Sequence, residues 1–380
     1  ETVGLLRGHP DIYGWDARGD YNTDTDAPWI EGAWMNKYNG TYYLQYAGPG
    51  TQFKSYADGV YTSAGPLGPF SPALHNPFAY KPEGFACGAG HGSTFQDKIG
   101  NWWHVGTITI SVKHHFERRL GFFPACFDAD GVLYADTAYG DYPKLVPDWR
   151  ISAPEEIYLG WMLLSYEKPV EVSSSETNHP PQHMCDEEIR TYWTASSGSD
   201  REWALMDLEQ ICDVYALQIN FAEHNTSLYG RENGIRHRYA VEASIDKIHW
   251  QTIIDKSAST DDRSHDYTQL DRKVACRYIR INNIEVPDGN FALCGLRVFG
   301  KGSGPKPAVV KNLQAVRDGE DRRAVTLSWD PDPLATGYLI RYGTAPEKRY
   351  LSYMVYNHNT VTIHYLNSTH GYEFTIEAFN

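Results

Sequence analysis

The 380-residue sequence contains only six cysteines, at positions 87, 126, 185, 212, 276 and 294. None forms a C-x-x-C pair or another tight ligand spacing, which argues against a zinc knuckle or a dithiol centre. They are also too sparse for a disulfide framework. Buried free thiols are the expectation, with at most one incidental bridge in the middle of the chain. Runs of lysine and arginine are missing, and the net charge is −14. Without a basic stripe the chain has nothing to track phosphates, so nucleic acid and an anionic membrane surface are not expected partners. No apolar stretch approaches bilayer-spanning length, so no membrane-spanning segment is expected. Helical 3.6-residue periodicity is hardly visible.

What is present is aromatic and strand-forming. Aromatic residues make up 14% of the chain, including 27 Tyr and 11 Trp, and hydrophobic residues 41%. Flat rings with a polar edge suit sugar faces, but most must pack β cores. Short β-branched and aromatic runs alternate with Gly, Pro, Asn and Asp clusters. Thr41 to Ala47 reads as a strand entered from the Asn39-Gly40 turn, a strong hairpin signal. Asn101 to Ile110 and Leu120 to Phe127 read as two more, the second closed by Asp128-Ala-Asp-Gly131. A polar, Pro-containing stretch after Tyr166 and the Gly/Pro linker from Lys301 mark boundaries. The expected units are residues 1–166, 167–301 and 302–380. Both ends read as cut, so the want of a leader says nothing about secretion.

The segment Ala27-Pro-Trp-Ile-Glu31-Gly-Ala-Trp34 carries the most chemistry. A carboxylate between Ile30 and Gly32, with Trp29 and Trp34 beside it, is expected in a poorly solvated pocket, where desolvation raises a carboxyl pKa. That suits a general acid protonating a glycosidic oxygen. On composition alone, an edge-strand ion pair between Glu31 and Lys37 is the favoured reading. Asp24 and Asp26 read as turn residues.

This region resembles glycoside hydrolase family 43. Glu31-Gly32-Ala33 followed by Lys37, Gly40, Tyr42, Tyr43 and Leu44 matches the family's E-G-P/A block and the strand after it. Gly90-His91-Gly92-Ser93 is similar to its G-H-x-S turn. Arg118 precedes Asp128-Ala-Asp-Gly131 at the spacing of a substrate-contacting arginine. The resemblance implies part of a five-bladed β-propeller, with Glu31 as acid, Arg118, Trp29 and Trp34 at the substrate, and His91 helping to hold a channel ion, usually calcium. Only one of Arg118 and Arg119 can reach the channel, because strand neighbours face opposite ways. His114, His115 and Glu117 are further cleft candidates. The family's base and pKa-tuning carboxylates match nothing before Glu31, so they are expected upstream of Glu1 and the chain is expected to be catalytically incomplete.

Residues 167–301 resemble a discoidin-like (coagulation factor type C) β-sandwich. The carriers are Asp186-Glu-Glu-Ile-Arg-Thr-Tyr-Trp193, Tyr239-Ala-Val-Glu-Ala-Ser-Ile-Asp-Lys-Ile-His-Trp250, Cys276 to Ile281 and Leu296 to Gly300. Such modules often hold calcium, which here implies Asp186, Glu188 and the Thr191 backbone, although Gly295 stands where an acidic ligand is expected. His224, Tyr229, Arg231, His237 and His265 are candidates for a sugar site. Residues 306–380 resemble a truncated fibronectin type III domain, through Val325 to Trp329, Gly337 to Gly343 and the region around Tyr372, with a spacer role expected.

The expectation is therefore all-β: a partial propeller followed by two β-sandwiches. The implied activity is an inverting, exo-acting glycosidase on arabinofuranosyl or xylosyl side chains of plant polysaccharides, extracellular or periplasmic, using no organic cofactor. The alternative is a non-catalytic carbohydrate-binding or adhesion protein. Its ligand would likewise be a polysaccharide or oligosaccharide.

Overall fold

The computed structural model describes residues 4–109, 118–227 and 234–380. His114, His115, Glu117, Tyr229 and Arg231 lie outside the described residues. The regular structure described is all strand apart from short 3-10 turns, as the missing helical periodicity implies. The chain divides into two compact units, one of residues 159–305 and one formed mainly by residues before 159 together with 306–379.

The first unit contains two four-stranded antiparallel sheets in simple up-and-down order, the form of a propeller blade. One consists of β1 (Glu31–Tyr38), β2 (Thr41–Gly48), β3 (Ala57–Ser63) and β4 (Ser71–Pro72). The other consists of β5 (Cys87–Gln96), β6 (Trp102–Thr109), β7 (Arg118–Phe127) and β8 (Leu133–Ala135). The β1–β2 hairpin pairs Tyr38 with Thr41 across Asn39 and Gly40, whose φ angles are 45° and 87°. Both are left-handed, as the two-residue turn that suits strand twist requires. The Asp128 carboxyl closes the β7–β8 turn by accepting the Asp130 and Val132 amides. Tyr43, Val60, Phe78, Ala89, Phe123 and Leu133 pack into one core shared by the two sheets.

Residues 306–379 form two three-stranded sheets: β17 (Gln314–Arg317), β18 (Val325–Ser328) and β21 (Thr360–Ile363), and β20 (Leu351–Tyr356), β19 (Gly337–Gly343) and β22 (Glu373–Phe379). The Tyr372 hydroxyl accepts the Asn367 amide, the contact of a tyrosine corner. This sandwich is not the free spacer expected. Its Trp329, Tyr338, Ile340, Tyr342 and Tyr365 share one buried cluster with Trp15, Tyr46, Tyr61 and Tyr80 of the blade region. Polar contacts rim that core: the Lys348 ammonium lies 2.8 Å from Asp128 and 2.7 Å from Asp130, and the Tyr350 hydroxyl donates to Asp128. The blade's own aromatic face drives this packing, because Tyr46, Tyr61 and Tyr80 need an apolar cover.

The second unit begins at Leu159, ahead of the boundary expected after Tyr166. Its strands are β9 (Met162–Leu163), β10 (Val170–Val172), β11 (Trp193–Thr194), β12 (Trp203–Phe221), β13 (Arg238–Ser244), β14 (Gln251–Asp255), β15 (His265–Glu285) and β16 (Ala292–Lys301). β9 pairs with β16, which explains the earlier start. The long β12 and β15 run antiparallel with register shifts near Cys212 and Ala216. Such shifts bend paired strands, letting one pair contribute to both faces of a sandwich. Met184, Trp193, Met206, Ile219, Tyr239, Ile279 and Leu296 are among its fully buried core residues. The six cysteines are all free thiols.

Candidate active site

Glu31 opens β1 at a bulge, since the register with β2 shifts between Glu31 and Trp34. Gly32 makes that bulge with a φ of 66°, and a Cβ there would lie 3.0 Å from the His91 ring. The glycine therefore lets the imidazole of β5 lie against β1. His91 itself has a φ of 51° and lies within the register shift of β5 between Gly90 and Ser93. Its Nδ1 lies 3.6 Å from the Glu31 carboxyl. Two family-like blocks from different blades thus meet at one point.

The immediate partner of Glu31 is a residue the sequence did not single out. The Tyr56 hydroxyl donates to Glu31 Oε1 at 2.7 Å. Burial, and then that carboxylate, push the Tyr56 phenol well above its ordinary range. The expected ion pair with Lys37 is not the arrangement found: the Lys37 ammonium lies over the Tyr42 ring. Nor is Glu31 in a poorly solvated pocket, because its side chain is 44% exposed. The tryptophans do not enclose it: Trp29 is 67% exposed, and the Trp34 indole N–H is turned to the Thr94 carbonyl.

Behind this pair lies a buried polar layer. Asp58 and His104 have no exposed surface, and His104 Nε2 is 2.9 Å from the Ala89 carbonyl and 3.4 Å from the Asp58 carboxyl. Asp58 accepts the amide of Gly92 at 2.9 Å, and the neighbouring His91 amide adds a favourable backbone dipole. Burial lifts the Asp58 carboxyl to about 8 against these amides, and lowers the His104 imidazole to about 4. The Thr94 hydroxyl continues the layer to Gln45, and its carbonyl receives both Trp34 and Asn36 side chains.

Arg118 opens β7 and its guanidinium donates to the Thr51 hydroxyl at 3.2 Å. Its positive charge acts on the Tyr56 phenol, the group that donates to Glu31. Arg118 and Arg119 are both exposed, and the Arg119 guanidinium donates to the Arg118 carbonyl. Asp24 and Asp26 stand in a turn about Arg18, as expected: the Asp24 amide donates to the Arg18 carbonyl and Asp26 pairs with its guanidinium.

The residues proposed for calcium do not make a fitting set. Calcium takes about six or more oxygens. Among the described residues no three His, Cys, Asp or Glu side chains converge, around His91 or elsewhere. In the second unit Asp186 spends one oxygen on the Glu188 amide and the other on the Thr191 hydroxyl, while Glu188 accepts the Arg190 amide. Gly295 gives no carboxylate, and its carbonyl receives the Asn220 side chain. The neighbouring Glu187 instead meets Arg297 of β16 in a buried, two-bonded ion pair.

One pole of the second unit gathers sugar-compatible groups. The His179 ring stacks on Tyr192 at 4.1 Å, and the Tyr192 hydroxyl lies 3.0 Å from His224 Nδ1. Glu176 lies 3.4 Å from His224 and accepts from the Asn290 amide group. His237 is instead packed on Phe221, and His265 lies 3.1 Å from Asn220, so neither joins this cluster.

Residues 11–133 match the model of the Glycosyl hydrolases family 43, and residues 169–295 that of the F5/8 type C domain. No curated protein sequence matches the chain. Among solved structures, one described as a glycoside hydrolase is similar at 19% identity and a TM-score of 0.38, over 73% of this chain and 61% of its own length. A chitosan-binding module 1 of a chitosanase/glucanase from Paenibacillus sp. IK-5 is similar at 19% identity and a TM-score of 0.30, over 37% of this chain and 99% of its own. The module CpGH89CBM32-4 of Clostridium perfringens, solved with glcNAc-alpha-1,4-galactose, shows 17% identity and a TM-score of 0.31, over 39% of this chain and 100% of its own. Residues 11–133 therefore belong to glycosyl hydrolase family 43, and residues 169–295 to the F5/8 type C domains.

Proposed function

We propose that the chain is part of a glycosidase that removes arabinofuranosyl or xylosyl side chains from plant polysaccharides, exo-acting and with inversion, outside the cytoplasm. The observation that carries this is the meeting of Glu31 and His91 on a family 43 segment, with Tyr56 bonded to the acid and the Arg118 charge acting on that phenol. In this reading Glu31 protonates the leaving oxygen, and the Arg118 guanidinium clamps sugar hydroxyls. An inverting reaction needs a second carboxylate about 6.5–9.5 Å from the acid to activate water. Asp16 and Asp58 are both fully buried and hydrogen-bonded, so they do not supply it. That base is contributed by a part of the family 43 propeller other than the two blades described. No calcium step is invoked. The pole formed by Glu176, His179, Tyr192, His224 and Asn290 binds the polysaccharide and holds it near the enzyme.

The test is hydrolysis of methyl arabinofuranoside and methyl xyloside, whose leaving groups need a proton, by the native protein and its Glu31→Gln variant. Loss of turnover in the variant supports the acid role; unchanged rates on the preferred substrate refute it. If the native protein binds arabinan or xylan but cleaves none of these substrates, the non-catalytic carbohydrate-binding alternative stands instead.

A further inference from the structure

Glu31 and His91 stand on separate blades, and neither strand alone fixes their mutual geometry. We propose that Tyr56 and Asp58 form the positioning element of this site, one fixing the Glu31 carboxyl and the other fixing the backbone that aims His91 at it. The proposal rests on the glycosidase reading for its catalytic consequence, but its geometry stands without it.

Tyr56 immediately precedes β3 and Asp58 is its second residue, and one bonds Glu31 while the other bonds the residue after His91. The Tyr56 hydroxyl reaches Glu31 at 2.7 Å, while Asp58 Oδ2 receives the amide of Gly92, the residue after His91, at 2.9 Å. Backbone amides beside a left-handed residue can bind an oxygen ligand. Here the ligand is the chain's own Asp58. A non-glycine residue at φ 51° persists only where its surroundings over-determine it, and Asp58 supplies that constraint.

The glycines around His91 make room for this element. A Cβ on Gly90 would lie 2.8 Å from the Tyr56 ring, and one on Gly92 would lie 2.4 Å from the His104 ring that backs Asp58. The backbone closes the assembly, since the Ala89 amide donates to the Tyr56 carbonyl at 2.8 Å. One short segment thus holds both members of the site from behind. Arg118 is also tied to the same neighbourhood through Thr51.

The test uses Tyr56→Phe, Asp58→Ala and Asp58→Asn in the native protein. Tyr56→Phe and Asp58→Ala are expected to lower kcat by about 10- to 100-fold, the worth of one hydrogen bond to a charged group, with KM nearly unchanged. Asp58→Asn, which keeps an oxygen for the Gly92 amide, is expected to recover most of the loss. A rise in KM with kcat unchanged, or no recovery in Asp58→Asn, overturns the proposal. Hydrogen exchange of the Gly92 amide supplies a readout that needs no turnover. Exchange should quicken at least tenfold in Asp58→Ala and stay slow in Asp58→Asn and Tyr56→Phe. Equal protection in Asp58→Ala and wild type overturns the positioning role even if glycosidase activity is found. Quickened exchange in a protein with no hydrolytic activity upholds it and removes only the catalytic reading. If Asp58→Ala does not fold, the decision passes to Tyr56→Phe kinetics and to Asp58→Asn exchange, where loss of Gly92 protection counts against the role.

Discussion

Glu187 and Arg297 meet through two parallel hydrogen bonds of 3.0 and 2.9 Å, with side chains only 4% and 1% exposed. A third bond, from Arg297 to Gln218 at 2.8 Å, holds the guanidinium plane, and Phe299 lies beneath it. The pair ties the loop before β11 to the last strand of the second unit. Removing one partner of such a pair leaves the other charge buried and typically costs about 3–5 kcal/mol. Arg297→Met should therefore lower the denaturant midpoint of this unit strongly. Arg297→Met with Glu187→Leu should recover much of the loss, because no orphan charge remains.

Metal removal gives a second prediction for the same loop. With Asp186 committed to Glu188 and Thr191, EDTA should leave the thermal midpoint of the second unit unchanged, and millimolar calcium should not raise it. A calcium-induced rise of several degrees that vanishes in Asp186→Ala would show that the loop rearranges to take the ion.

The Glu31 assignment predicts a dependence on leaving group. General acid help contributes about 10²–10⁴-fold, and a departing group that needs no proton forgoes it. Glu31→Gln should cripple hydrolysis of alkyl glycosides and leave 2,4-dinitrophenyl glycosides much less affected. Equal losses on both, measured as kcat/KM, would point to a structural rather than an acid role.

Asp16 predicts a pH effect on the first unit. It is fully buried, accepts the His9 amide, and burial pushes its carboxyl up to about 7. A carboxyl raised above its unfolded value of 3.8 favours the folded state while protonated, and that stability is lost as pH rises through about 7. Wild type should thus weaken between pH 4 and 8 relative to Asp16→Asn, by on the order of 4 kcal/mol at the upper end. Parallel pH profiles of the two proteins in urea unfolding would contradict this.

Much of the fold was legible because its signals are local. Asn39-Gly40 sets a hairpin by its own φ angles, and Asp128 to Gly131 closes a turn within its own backbone. The ordered blocks around Glu31 and His91 meet, 3.6 Å apart, across two blades. Tyr56 and Asp58 were missed because their partners lie on other strands, and no spacing between them announces it. The available clue was indirect: glycines at 90 and 92 report that something bulky presses on β5 from the side. The solvation of Glu31 was misjudged for a related reason. Tryptophans close in sequence to a carboxylate need not cover it, since Trp34 is drawn off by the Thr94 carbonyl.

The shared cluster of Trp15, Tyr46 and Tyr80 with Tyr338, Tyr342 and Tyr365 bears on how this protein can be altered. The Gly/Pro linker after Lys301 invites treatment of residues 306–379 as a detachable cassette. Cutting there would strip a wall of aromatic rings from the sheets that carry Glu31. Any swap or deletion of the C-terminal sandwich is therefore an edit to the foundations of the blades that carry Glu31, and domain boundaries chosen by linker composition would cut through one shared core.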